Sequence, residues 1–208
     1  MRLLLSSLGP SPAHDAALVE LVGRPLDEVR VGYIENAYDV YDDPASLEEG
    51  RDELRRSGYD LDLVDLRDWR GDRDGLAGLL GSFDVFLLTG GNPYYLRSLM
   101  HVTGADGILT ERVRQGAVYA GASAAAVVAG PTLRHFDELD DPGEAEVLIW
   151  EGLGLTELVI APHVDNADFG EGCRRAADLC EADGLPVRRL TDAQALSIDG
   201  PRTKLVEP

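Results

Sequence analysis

Ala117-Val118-Tyr119-Ala120-Gly121-Ala122-Ser123-Ala124-Ala125 carries a short apolar run into a turn of small residues, and a helix-forming stretch follows until Gly130-Pro131 ends it. The order is strand, sharp turn, helix. Such an elbow sets a serine hydroxyl at the C-terminal tip of a strand, where small neighbours permit a strained backbone and the hydroxyl stands clear to attack a carbonyl. The pattern G-x-S-x-G is nearly met, with Ala125 in the place of the last glycine. A Ser-Ala turn in a packed crossover is the plainer alternative, and the rest of the chain has to decide.

Working outward, strands are expected over 2–7, 29–35, 61–66 and 83–89, the first and last buried and the third, with its alternating aspartates, nearer an edge. Helices are expected over 13–22, 44–58, 75–80, 94–101 and 104–115. The spacing of Ala45, Leu47 and Leu54 is helical, with acidic residues early and arginines late as the helix dipole prefers. The run from Phe83 to Thr89 is almost wholly apolar, which fits a strand covered on both faces. Alternation of this kind predicts parallel β-α-β units in a doubly wound α/β fold. Beyond the elbow, 131–143 reads as an acidic loop, 146–150 as a further strand, and 158–161 as an apolar strand ending at Pro162-His163. The segment 170–184 reads as a helix, and 187–190, 195–198 and 204–206 as short closing strands. At 208 residues, with no repeat or linker, the chain fits one domain, 1–208.

The balance of 38 acidic against 19 basic residues gives a formal charge of -19, a field that repels phosphate backbones and argues against a nucleic-acid partner. No stretch is long and apolar enough for a membrane helix, and Met1-Arg2-Leu3-Leu4-Leu5 meets Gly9-Pro10 too early for a secretory signal, so a cytoplasmic protein is expected. Cys173 and Cys180 lie seven residues apart on one expected helix, roughly 10 Å between Cα atoms, too far for a disulfide. They read as small buried hydrophobes. No metal set and no cofactor motif stands out.

A serine becomes a nucleophile when a base takes its proton and an acceptor fixes that base. Of four histidines, His14 and His101 read as surface helical residues and His135 falls in the acidic loop. His163 follows directly on an apolar strand, at the edge where open α/β sheets collect catalytic groups. The acid stays open at this point: Asp137, Glu138, Asp140 and Asp141 lie between serine and histidine, and Asp165 lies just beyond the histidine. Thr89-Gly90-Gly91-Asn92-Pro93 closes the preceding strand. The amides of Gly91 and Ala124 are the natural pair of oxyanion donors.

Five segments together resemble the peptidase family of dipeptidase E (aspartyl dipeptidase) and cyanophycinase. They are Leu87-Leu88-Thr89-Gly90-Gly91-Asn92, Gly121-Ala122-Ser123-Ala124, Pro131-Thr132-Leu133-Arg134, Ala161-Pro162-His163 and Thr191-Asp192-Ala193-Gln194-Ala195-Leu196, in family order over most of the chain. The resemblance implies a flavodoxin-like, class I glutamine amidotransferase-like fold and a serine peptidase without metal or cofactor. It implies Ser123 as nucleophile, His163 as base, and the Gly91 and Ala124 amides as oxyanion hole. Counting forward from the serine, it implies Glu138 as acid, with Asp137 as the alternative. Asn92, Arg174 and Arg175 are expected at the substrate, a short peptide that in this family carries N-terminal Asp, and the protein is expected as a monomer or homodimer. Two other readings stand beside it: an α/β-hydrolase-type esterase, and a non-catalytic ligand-binding relative.

Overall fold

The computed structural model describes residues 1–208. Three helices begin on the same local device, a capping side chain followed by proline. Ser11, Asp43 and Asn92 each accept a backbone N–H of the first turn, and Pro12, Pro44 and Pro93 take the next position, where no N–H is needed. These dipeptides start α1 (Pro12–Val22), α2 (Pro44–Arg56) and α4 (Pro93–Thr103), while α3 (Arg73–Leu80) is capped by Asp72 and α5 (Ala105–Arg114) follows Gly104.

The strands β1 (Arg2–Ser6), β2 (Val31–Ile34), β3 (Leu61–Leu63), β4 (Val85–Leu88) and β5 (Val118–Ala122) pair in parallel in the order β3-β2-β4-β5-β1. The sheet continues past β1 into an antiparallel hairpin, β8 (Ala195–Asp199) and β9 (Arg202–Val206). Alternation along each strand divides the core. Leu3, Leu5, Phe86, Leu88 and Tyr119 face one side and Leu4, Val31, Val85, Val118 and Ala120 the other. The first side packs on α3, α4, α5 and α6 (Ala124–Ala129); the second packs on α1 and α2 through Leu18, Leu21 and Leu54. This is the doubly wound, mostly parallel arrangement expected from the sequence.

Two expectations for the C-terminal half change. The strands β6 (Val159–Ala161) and β7 (Val187–Arg189) leave the main sheet and form a two-stranded parallel sheet of their own, joined by α7 (Gly170–Ala182). No strand forms over 146–150; Thr132 and Glu151 make a single antiparallel bridge there. Trp150 is spent on packing, its ring 5.7 Å from that of Tyr94. No helix is long and apolar enough to cross a membrane.

Gly32 tests how tightly the first face is filled, since it alternates with Val31 and looks toward Phe83. A Cβ built there would stand 2.6 Å from the ring of Phe83, itself 1% exposed. Gly32→Ala is expected to lower stability by about 1–3 kcal/mol through overpacking. Urea unfolding checks this, and the fold remains α/β by circular dichroism.

Candidate active site

Three parallel strands deliver the first part of the site. Register pairs Leu88 with Gly121 and Ser6 with Ala122, so the segments after β4, β5 and β1 leave the sheet side by side at its C-terminal edge. Ser123, following β5, has φ 50 and ψ -114, a conformation that side chains rarely adopt. It is held there because its amide donates to Ser6 O at 3.0 Å and its carbonyl accepts the amides of Ala126 and Val127. Ala125 does not prevent the elbow. Its side chain is buried in the core, and the Tyr119 hydroxyl donates to Ala125 O at 2.8 Å beneath the turn.

Gly90 passes so close that a Cβ on it would sit 2.9 Å from the Ser123 Cβ, and Gly91, at φ 135, lies where a Cβ would overlap the Ala37 carbonyl. Only glycine fits this approach. The Gly91 amide has no acceptor in the protein, and the Ala124 amide opens α6, where helix N–H groups lack intrahelical partners.

The small sheet delivers the rest. Ala161 pairs with Arg189, and Leu190 N donates to Ala161 O, so the segments that follow β6 and β7 emerge as neighbours. His163 and Asp192 stand on those two ends. The Ser123 Oγ is 2.8 Å from His163 Nε2, and His163 Nδ1 is 2.6 Å from Asp192 Oδ1. Ser7 adds a third anchor, its Oγ accepting the His163 amide at 2.7 Å. Asn166 donates to the other Asp192 oxygen at 2.7 Å, and Asp165 accepts the Asp192 amide at 2.8 Å. Like Ser123, His163 holds positive φ, at 59. Burial works to raise the Asp192 pKa, but the hydrogen bonds from Asn166 and His163 and the imidazole's charge outweigh it, so the carboxyl lies below its ordinary range. Ionised Asp192 accepts from Nδ1–H, which leaves Nε2 as the acceptor for the serine hydroxyl.

The acid expected from the sequence is elsewhere. Glu138 is exposed and pairs with Arg175 at 3.1 Å, and Asp137 is exposed with no partner. A carboxylate held on the surface by its own arginine is not available to the imidazole; Asp192 takes that place. The strand-end argument that singles out His163 also finds Asp192 once it is applied to the next strand. The expected substrate contacts change too. Asn92 is 2% exposed and consumed by structure, its Oδ1 capping α4 and its Nδ2 donating to Asp141 O. Arg174 donates to Val164 O, and neither Arg174 nor Arg175 lines the cavity that holds Ser123. His14, expected on the surface, is 4% exposed, with Nδ1 3.1 Å from Gly9 O. His101 is exposed as expected, and His135 faces Asp183 at 2.8 Å. Cys173 and Cys180 are buried and free. No group of three or more His, Cys, Asp and Glu side chains is placed to hold a metal ion.

A cavity of about 800 Å³ opens over Ser123 and His163. Leu8, Tyr41 and Phe169 form exposed parts of its rim, and the Phe169 ring lies 5.9 Å from the His163 ring. On its wall Asp140 accepts the Tyr41 hydroxyl at 3.0 Å. Burial is the main influence on this carboxyl and pushes it up to about 6, against the lowering effects of Tyr41 and His163.

A model of Peptidase family S51 matches residues 3–206. The chain belongs to that family. An uncharacterized peptidase of Listeria innocua is 31% identical over 140 residues, which cover 67% of this chain and 66% of that protein. Peptidase E of Streptomyces coelicolor is 32% identical over 148 residues, 68% of this chain and 59% of the relative. The chain thus matches about two thirds or less of the length of these two relatives. Among solved structures, a candidate peptidase E of Listeria monocytogenes superposes with a TM-score of 0.85 at 22% identity, over 100% of this chain and 98% of its own. The likeness extends the S51 assignment to the fold, and the α/β-hydrolase esterase reading falls with it.

Two results follow from this geometry. Asp192→Asn is expected to lower kcat by about 10⁴-fold, the scale set by loss of the productive imidazole tautomer, whereas Glu138→Gln changes it by no more than about twofold. Peptide hydrolysis by the two purified variants checks this. Asp140 holds its proton more tightly folded than unfolded, so its contribution to stability is present below the unfolded carboxyl value and lost as pH rises through about 6. Asp140→Asn is therefore expected to raise the urea midpoint at about pH 8 and barely move it at about pH 4.

Proposed function

We propose that the protein is a serine peptidase that cleaves short peptides through an acyl-enzyme on Ser123. The observation that carries this reading is the run of short contacts from Ser123 Oγ to His163 to Asp192, with the serine held at positive φ. The hydroxyl donates to Nε2, which removes its proton as Oγ attacks the substrate carbonyl. Asp192 holds Nδ1–H and stabilises the imidazolium that results. The negative oxygen of the tetrahedral intermediate is received by the amides of Gly91 and Ala124, which are fixed in place before reaction. As the intermediate collapses, the C–N bond breaks and Nε2–H protonates the departing amine. Water then attacks the acyl-serine by the same route, giving up a proton to Nε2, and Ser123 regains its own.

Membership of family S51 supports peptide bonds as the target. The aspartyl preference implied by the sequence resemblance needs a cation beside the acyl residue, a need that Arg174 and Arg175 do not meet.

Ser123→Ala is expected to reduce dipeptide turnover by about 10⁶-fold. A fluorophosphonate is expected to label the wild type at Ser123 and leave the variant unmodified, as mass spectrometry of the modified peptide reads. Equal turnover by both proteins removes the nucleophile from the reading, and a wild type that binds small peptides without labelling is a non-catalytic relative.

A further inference from the structure

The wall of the cavity over Ser123 carries no lysine and no arginine. Its acidic groups are Asp15, Glu53 and Asp140, and two histidines, His14 and His163, also line it. Glu53 is exposed, and Asp15 and Asp140 each accept one tyrosine hydroxyl, from Tyr59 at 2.6 Å and from Tyr41 at 3.0 Å. Asp140 is set apart by its neighbour. It lies near enough to His163 to feel that ring's charge, and no side chain but Tyr41 bonds its carboxylate. A half-buried carboxylate without a cation carries a desolvation cost, and a cationic ligand offsets it.

Apolar and aromatic side chains, among them Tyr38, Phe136, Leu139 and Phe169, make up much of the rest of the wall, with the hydroxyls of Ser6, Ser7 and Thr89 between them. An aspartyl side chain would enter this space against Asp140 with nothing to pair with, in a chain whose formal charge is -19. The α-nitrogen of an N-terminal residue is attached to the carbon next to the scissile carbonyl, so a group beside the Ser123–His163 pair is within its reach.

Resting on the serine-peptidase reading, we propose that the cleft selects peptides whose first residue has a free α-ammonium, received by Asp140 and Tyr41, and a neutral apolar side chain, and that it rejects N-terminal aspartate. Asp140 is thus a specificity residue of the same site, and it takes no part in proton transfer. Its carboxyl, titrating near 6, is mostly ionised at neutral pH, as an ammonium partner requires.

The test compares kcat/KM for Leu-Leu, Asp-Leu and N-acetyl-Leu-Leu with the wild type and Asp140→Asn, and measures the rate of fluorophosphonate labelling of Ser123 in each. The wild type is expected to favour Leu-Leu over both others by about 100-fold or more, because like charge or a lost ion pair in a desolvated site costs on that scale. In Asp140→Asn, Leu-Leu is expected to fall about 100-fold while the acetylated peptide changes little and labelling of Ser123 proceeds as in the wild type. Unchanged labelling shows that the variant is folded and its nucleophile intact. Preference for Asp-Leu, equal use of free and acetylated peptide, undiminished discrimination in the variant, or labelling without cleavage of any free dipeptide overturns the specificity and leaves the nucleophile standing. Absence of labelling in the wild type overturns the underlying peptidase reading itself.

Discussion

One imidazole, bonded at both nitrogens, ties this molecule together at its reactive end. His163 reaches Ser123 with one nitrogen and Asp192 with the other, and its amide is fixed by Ser7. Those three partners come from three separate places: the strand end after β5, the strand end after β7 and the strand end after β1. Parallel pairing is what makes this possible, because successive strands end at the same edge and their following residues crowd together. Two of the residues, Ser123 and His163, sit at positive φ without being glycine. Such conformations persist only where surrounding bonds fix the backbone from several sides, and the hydrogen bonds of Ser123 to Ser6, Ala126 and Val127 do so.

Much of the main sheet was legible because its signals are local and redundant. The near-continuous apolar run before Thr89, the capping residues followed by proline, and the small residues flanking Ser123 each carry a physical cause in a few adjacent positions. Ser123 and His163 were singled out the same way, as polar residues stranded at the ends of apolar runs, and the structure brings them to 2.8 Å of each other. Asp192 also stands just past a strand end, inside the segment Thr191 to Leu196, but was not singled out as the acid. That it meets the imidazole depends on β7 lying beside β6, a pairing between segments some thirty residues apart that no local pattern announces. Counting forward from the serine reached Glu138, but the intervening segment turns outward, where Arg175 on α7 neutralises it.

Asn92 is instructive in another way. An asparagine after two glycines at a strand end can serve a ligand or a helix, and sequence does not separate the two. Here the helix claims it, through two amides of the first turn and a carbonyl of the acidic loop. That loop is thereby tied to the start of α4, and the tie sets where Asp140 stands on the cavity wall.

The detachment of β6 and β7 from the principal sheet spreads the hydrogen-bonded chain over two separate sheets. One carries Ser123; the other carries His163 together with Asp192. Slippage at the seam between them would lengthen the reach from hydroxyl to imidazole while the imidazole kept its tautomer and its counter-charge. The distance from hydroxyl to imidazole and the bond from imidazole to carboxylate are therefore set by different parts of the architecture.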